Sequence, residues 1–176
     1  MYLFGQGVSG HSFIPEMDDI HDWIQSTYSV DTKDPKFEGY RDFLLLWSIL
    51  EGDLFQTDFK QNLNYKVKLV RYDEHILDST MRFFKDRYIS SDHNINSKFN
   101  SLKIRNERDK KKIEEVLLGI EKSETEQVKA CLYIIYRLRC HLFHGVKGII
   151  SMDDQYETFR KSNAFLLSCL QLSKNN

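Results

Sequence analysis

The sequence of 176 residues contains little proline and glycine, with 2 and 8 residues respectively. This scarcity excludes a turn-rich all-β sandwich and a collagen-like chain. Long hydrophobic runs are also absent. The longest, Phe43 to Leu50, already includes Ser48 and falls well short of the roughly 20 residues that span a bilayer. With 41% hydrophobic and 29% charged residues, the composition is typical of a globular domain with a real core.

Neither sign of charge dominates, since 25 Lys and Arg face 26 Asp and Glu for a formal net charge of -1. No global field therefore attracts nucleic acid, although a local basic face is compatible with this balance. Three cysteines are an odd number for a disulfide framework, and residues 1–10 show no signal-peptide pattern. We expect a cytoplasmic protein with reduced thiols and no membrane association.

Three of the glycines lie near the start of the chain, where Gly5, Gly7 and Gly10 match the spacing G-x-G-x-x-G. A dinucleotide site needs this motif between a buried strand and a helix. Only four residues precede Gly5, too few for a central strand. We therefore interpret residues 1–14 as a flexible N-terminus and expect no cofactor there.

From residue 15 onward, apolar residues recur at helical spacing, whereas no segment convincingly predicts a strand. The pattern predicts an all-α bundle of five to six helices in a single domain, residues 15–176. The first predicted helix begins near Pro15, with Ile20, Trp23 and Ile24 as its apolar stripe. The other five are predicted over Phe37–Phe55, Asp73–Ser90, Phe99–Ile120, the segment from Ser123 to about Leu142, and Met152–Leu172. The pattern of residues 56–72 does not decide between a short strand and the start of a helix.

Two of these helices carry more specific expectations. The helix over Phe37–Phe55 is apolar on most sides, which places it centrally in the bundle or at a dimer interface. Ser123 and Glu126 have the spacing of a capping box, in which the glutamate reaches back to the serine N–H.

A basic run occupies the first half of the predicted helix Phe99–Ile120. Such a run is either a solvated helix face or a set of contacts to a phosphate backbone, and the charge pattern does not decide between the two. The RNA-backbone candidates are Lys103, Arg105, Arg108, Lys110, Lys111 and Lys112.

The most informative segment runs from Tyr136 to Gly148 and reads YRLRCHLFHGVKG. It concentrates several cations at the end of an otherwise oily helix, and buried cations need anions or water as partners. His144 directly precedes Gly145, the expected helix terminator, so the negative end of the helix dipole favours its imidazolium form. A histidine close to an arginine that can fork onto a phosphate is a minimal set for phosphodiester chemistry.

The seven residues from Arg139 to Gly145, RCHLFHG, resemble the R-x4-6-H motif of the HEPN superfamily. Its members are all-α domains, and the active ones are metal-independent endoribonucleases, many of them toxins or abortive-infection effectors of bacterial defence. The segment FLLLWSILEGDLF, residues 43–55, is similar to the first core helix of that superfamily, which often carries an acidic residue near its end.

This resemblance implies that Arg139 and His144 are catalytic. Five residues along an ideal helix turn by roughly 140°, so the two side chains do not share a face unless the helix bends or ends between them. Either the long arginine side chain wraps round the helix, or the two residues meet their counterparts in a homodimer with the site on its twofold axis. One His144 would activate the ribose 2′-hydroxyl, His144 of the partner subunit would protonate the leaving 5′-oxygen, and both Arg139 side chains would stabilise the phosphorane. The products would carry a 2′,3′-cyclic phosphate and a 5′-hydroxyl.

Other residues around the motif are supporting candidates. The residue after the motif arginine is usually polar, often asparagine, and is Cys140 here; His141 either supplies the missing polar contact or packs structurally. The remaining supporting candidates are Lys147, Tyr136 and Glu51. Val146 occupies the position at which some relatives carry a modified tyrosine, so the sequence does not support that regulation.

We expect no metal and no cofactor, because only His141 and His144 are well placed as ligands. Two hypotheses therefore remain: a dimeric ribonuclease acting on RNA and restrained by a cognate antitoxin or regulatory protein, or a silent helical module that binds RNA, nucleotide or a partner protein. A purely structural dimerisation bundle is a weaker third.

Overall fold

The computed structural model of the protein describes residues 17–29, 31–56, 58–142 and 152–174. These residues form eight α-helices and one 3-10 turn, and no strand beyond an isolated bridge between Ile89 and Ile95. The helices are α1 (Met17–Tyr28), α2 (Pro35–Phe55), α3 (Phe59–Lys66), the 3-10 turn Val67–Leu69, α4 (Glu74–Tyr88), α5 (Ser97–Asn100), α6 (Glu107–Leu117), α7 (Glu124–Leu142) and α8 (Met152–Lys174). The all-α class is thus confirmed. None of the helices in these ranges has both the length and the apolarity to cross a membrane.

The chain separates into two units, Met1–Thr32 and Lys33–Asn176. The first unit contributes α1, whose predicted apolar stripe is largely uncovered: Ile20 is exposed and Trp23 is 57% exposed. The reason is that the described part of this unit contains no second helix to cover them. The spacing predicts Trp23 to be a core or an interface residue; it is not part of a core within these residues, and residues 1–16 lie outside the described ranges.

In the second unit, the prediction of a long helix ending at Phe55 is confirmed by α2. Asp34 caps its first turn by accepting a hydrogen bond from the Lys36 N–H at 2.8 Å, and Pro35 occupies the first helical position. The helix ends where Gln56 adopts the left-handed conformation, with φ at 53°. Trp47 is fully buried, as expected for a core residue.

Helix α8 packs along α2 and covers one of its apolar faces. Phe159 of α8 lies between Tyr40 and Phe43, with ring centroids 5.8 and 5.1 Å away. The side-chain amide of Asn163 donates to the Gly39 carbonyl at 2.8 Å, which fixes the register of the two helices. The bounds of α8 agree with the predicted helix Met152–Leu172.

Helix α7 is the most deeply buried helix of the unit. From Ala130 to Ile135 every side chain is buried, so this segment is enclosed on all sides rather than on one stripe. The sequence pattern placed α2 centrally in the bundle or at a dimer interface, and α2 exposes Leu45 and Ile49. Both helices carry an uncharged run, residues 43–50 in α2 and 130–136 in α7, so a difference in charge does not explain the deeper burial of α7.

Two details of the predicted helices are wrong. The single helix predicted over Phe99–Ile120 is split into α5 and α6, because Lys103 adopts a positive φ of 49° and Asn106 caps a new helix by accepting the Asp109 N–H. The predicted capping box at α7 does not form, since the Ser123 N–H donates to Glu121 at 2.7 Å instead of to Glu126. Together with α3, the split explains why there are more helices than predicted.

Residues 56–72, which the sequence left open, form α3 and the 3-10 turn. Asp58 caps α3 by accepting the Gln61 N–H at 3.1 Å. The helix places Phe59 in the core, at 1% exposure. Phe59 thereby connects α2 to α7 beneath the site described next.

Candidate functional site

The carboxy-terminal end of α7 brings the predicted motif arginine to the acidic residue of α2. The Nη2 atom of Arg139 lies 3.9 Å from Oε2 of Glu51. The Arg139 side chain is 35% exposed and that of Glu51 is 19% exposed, so the pair lies at the surface with one side open to solvent. At this separation and exposure the ion pair contributes about 1 kcal/mol or less to stability. Two residues proposed from separate parts of the sequence therefore lie together in space.

A hydrogen bond from the indole of Trp47 holds the Glu51 carboxylate. The Trp47 Nε1–H donates to the same oxygen, Oε2, at 3.1 Å. Because Trp47 is fully buried and lies one turn before Glu51 on α2, the carboxylate is fixed by a side chain that cannot move freely.

An aromatic cluster supports both helices below this pair. The ring of Phe59 lies 5.0 Å from Trp47 and 5.0 Å from Tyr136, the latter in a stacked arrangement. Trp47 and Tyr136 are themselves 5.8 Å apart. Packed rings at these separations interact favourably beyond the area that they bury, so α2, α3 and α7 are held rigidly at this point.

Tyr136 and Cys140 are neighbours one turn apart on α7. Burial and, after it, the contact with Cys140 together raise the pKa of Tyr136 to about 12, while Arg137 and Arg139 oppose the shift. The phenol is therefore neutral at physiological pH and acts as a hydrogen-bond donor rather than as a base.

Arg137 and His141, at the same helix end, both contact a single backbone carbonyl. Nε of Arg137 donates to the Leu102 oxygen at 2.8 Å, and Nε2 of His141 lies 3.0 Å from the same oxygen. These bonds tie the segment before α6 to α7. His141 therefore has a structural partner, which is one of the two readings the sequence allowed for it.

His144 and Lys147 lie outside the described residues, as do Gly145 and Val146. The predicted catalytic histidine is therefore located only by its place in the sequence, two residues after the last described residue of α7, Leu142. Its role stays a prediction.

The predicted RNA-backbone residues divide between the segment before α6 and α6 itself. Lys103 and Arg105 are exposed ahead of the helix. On α6 the lysines face acidic side chains: Lys110 lies 3.9 Å from Glu114, Lys111 3.9 Å from Glu115, and Lys112 3.9 Å from Glu126. This pairing is what a solvated helix face would show, while Arg108 has no acidic partner within 4 Å among the described residues.

The cysteines and the remaining titratable groups form no metal-binding cluster within the described ranges, where no three His, Cys, Asp or Glu side chains come together. All three cysteines are free thiols. Burial raises the pKa of Cys131 well above its usual value and that of Cys169 to about 12, in agreement with their expected role as core residues. Cys140 is half-buried.

Sequence reasoning selected Glu51 but missed the role of Trp47, which it treated as a core residue only. The signal was available in the spacing, because Trp47 and Glu51 are four residues apart and so lie on one face of a helix. It also missed Phe59 and Lys60, since they lie in the segment that the sequence left open. Nothing in their local pattern shows that α3 packs against α7.

No protein-family model matches the chain, and neither the comparison with curated proteins nor that with solved structures finds a significant match.

Proposed function

We propose that the protein is a metal-independent endoribonuclease of the HEPN type, a bacterial toxin or defence effector that acts as a homodimer. The observation that carries the proposal is the ion pair at the surface between Arg139, at the end of α7, and Glu51 of α2. Arg139 comes five residues before His144 in the motif R-x4-H. The pair lies on a rigid aromatic base, which suits a group that must be held in position toward a phosphate.

In the proposed reaction, His144 accepts the proton of a ribose 2′-hydroxyl, whose oxygen attacks the adjacent phosphorus. The bond to the 5′-oxygen breaks, and that oxygen takes a proton from His144 of the partner subunit. Arg139 stabilises the charge that develops on the phosphorane oxygens, because a guanidinium forks onto two of them. The products are a 2′,3′-cyclic phosphate and a 5′-hydroxyl.

The position of Glu51 is compatible with a role of Arg139 in stabilising the phosphorane. A carboxylate 3.9 Å away orients the guanidinium, but it holds it less tightly than the hydrogen-bonded pair of Arg160 and Glu157, at 2.8 Å. An RNA phosphodiester carries the same single charge as a carboxylate, but it gains a second negative charge in the phosphorane and can accept both prongs of the guanidinium, so it can compete with Glu51 for Arg139. Tyr136 and Cys140 lie on the same helix end as further contacts for RNA.

The alternative is a silent helical module that binds RNA, nucleotide or a partner protein. The observation that favours it is the same ion pair, since Arg139 already faces an acidic residue of its own chain. The substitution of Cys140 for the usual polar residue after the motif arginine also favours it, because a thiol is a weak donor and acceptor.

The test is cleavage of transfer RNA and messenger RNA in EDTA, with the ends of the products mapped. We expect the wild type to leave cyclic phosphate ends, and Arg139→Ala and His144→Ala each to lower the rate by at least about 100-fold, as for removal of a group that stabilises transition-state charge. Arg160→Ala is the matched control, because it removes an arginine with a glutamate partner from the surface of α8.

Sedimentation of the wild type in the same buffer measures the expected dimer. If folded, dimeric wild-type protein cleaves neither RNA, the silent module replaces the ribonuclease as the better assignment. Cleavage that is abolished by EDTA would contradict the proposed metal-independent reaction.

A further inference from the structure

A cavity of about 450 Å³ opens between α3, α6 and α7, apart from the site around Arg139. This size is within the roughly 300–1,000 Å³ of small-molecule sites. Apolar side chains of Leu63, Ile113 and Tyr133 line part of it, together with the amide side chains of Gln61 and Asn64. The cavity therefore offers both a flat apolar wall and hydrogen-bonding groups.

Positive charge predominates in its lining. Four cations, Lys60, Arg108, Lys112 and Lys129, face two carboxylates. The carboxylates are Asp109 and Glu126.

Both carboxylates are already engaged by groups of the protein. The hydroxyl of Tyr133 donates to Asp109 at 3.2 Å. Glu126 accepts a hydrogen bond from Lys129 at 2.6 Å and lies 3.9 Å from Lys112. Outside the cavity lining, a hydrogen bond from the Ser123 N–H is the main cause that lowers the pKa of Glu121, and the charge of Lys112 adds a small contribution.

Two of the cations are left without an acidic partner in the described part of the chain. Lys60 lies over the ring of Tyr136, 5.8 Å from its centroid, and has no carboxylate within 4 Å. Arg108 likewise has none. They come from different helices, α3 and α6, so their positive potentials add within the cavity.

We propose that this cavity binds a nucleotide, with Arg108 and Lys60 on its phosphate and the apolar wall against its base. The guanidinium matches a phosphate bidentately, and the amides of Gln61 and Asn64 can pair with the polar edge of a base. A free mononucleotide and a terminal nucleotide of RNA share this chemistry. The proposal does not depend on ribonuclease activity, because Arg139 is not among the described residues that line the cavity.

The experiment is isothermal titration of the full chain carrying Arg139→Ala, so that cleavage is removed while the cavity is intact. The probes are AMP, UMP, adenosine, inorganic phosphate and hexauridylate. We expect AMP or UMP to bind at least tenfold more tightly than adenosine and than inorganic phosphate. Arg108→Gln and Lys60→Gln are each expected to weaken that binding about tenfold, as for the loss of one charge-assisted contact.

Matched controls separate a built site from general attraction to a basic surface. Arg82→Gln on α4 and Lys68→Gln in the 3-10 turn remove the same charges from exposed positions outside the cavity lining, and we expect them to change the affinity less than twofold. Equal weakening by Arg82→Gln and Arg108→Gln would overturn the proposal. So would the absence of binding by every probe, or equal affinities for AMP and adenosine.

The different probes of the titration also show whether the cavity binds a free mononucleotide or a nucleotide of an RNA chain. Tight binding of a mononucleotide assigns the cavity to a free ligand, whereas hexauridylate binding that exceeds UMP binding tenfold and depends on Arg108 assigns it to RNA. Either result supports the nucleotide site. Nucleotide binding by a chain whose wild type cleaves no RNA would reject only the proposed function.

Discussion

The two halves of α7 use one helix for opposite purposes. From Ala130 to Ile135 every side chain is buried and apolar or aromatic. From Tyr136 to His141 the same helix directs polar groups at three other segments: Glu51 on α2, the Leu102 carbonyl before α6, and the aromatic ring of Phe59 on α3. The buried half thus serves as the anchor that holds the polar half in place, and this combination suits a site whose groups must be positioned.

The largest expected difference between the two halves is in thiol reactivity. Cys131 is fully buried and its pKa is raised well above the usual value, so at pH 8 it is neither accessible nor ionised. Cys140 is half-buried. We expect Cys140 to react with a thiol reagent at least about a thousandfold faster than Cys131, which becomes accessible only when the domain opens.

Counting modified thiols in native and denatured protein measures this difference. One thiol should react quickly in the native state and all three in guanidinium chloride, and Cys140→Ser should remove the quick phase. Rapid modification of more than one thiol would show that the amino-terminal half of α7 is not the rigid anchor inferred here.

The next difference concerns the free energy of unfolding. Ile135→Ala removes a fully buried side chain from the anchor and should cost about 2–5 kcal/mol, from lost burial and the cavity left behind. Arg139→Ala, four residues later, removes only a partly exposed ion pair and should cost within about 1 kcal/mol. Denaturant titration followed by circular dichroism measures both, and equal losses would erase the distinction between the two halves.

Much of this arrangement could be predicted from the sequence, because it follows from local pattern. The bounds of α2, α4 and α8 agree within a few residues with the apolar periodicity. Glu51 was selected as a supporting candidate, but its pairing with Arg139 was not predicted. Burial of Cys131 and Cys169 was likewise visible in the helical spacing.

The parts that could not be predicted depend on contacts distant in sequence. No local rule shows that Arg137 and His141 meet the Leu102 carbonyl, more than thirty residues earlier, or that α3 closes a cavity against α6 and α7. The break before α6 rests on a left-handed lysine, Lys103, which propensity alone disfavours. The false capping box shows the same limit, since Glu126 is held by Lys129 and Lys112 instead.

The smallest expected effect tests how the polar half is tied to the segment before α6. Arg137→Met and His141→Leu each remove one of two donors to the Leu102 oxygen, and each should cost about 1 kcal/mol, since the other donor still satisfies the carbonyl. The double variant leaves this carbonyl, on a buried residue, without either donor. Its loss of unfolding free energy should therefore exceed the sum of the single losses by at least about 1 kcal/mol.

A double-mutant cycle by denaturant titration measures this coupling, with Lys111→Met as a control that should change stability by less than about 0.5 kcal/mol, as surface substitutions usually do. Additive losses would mean that water replaces the missing donors. The Leu102 carbonyl would then be reached by solvent, and the two hydrogen bonds would contribute to stability independently of each other. The cycle thus decides whether Arg137 and His141 act on this carbonyl as a coupled pair or as two separate contacts.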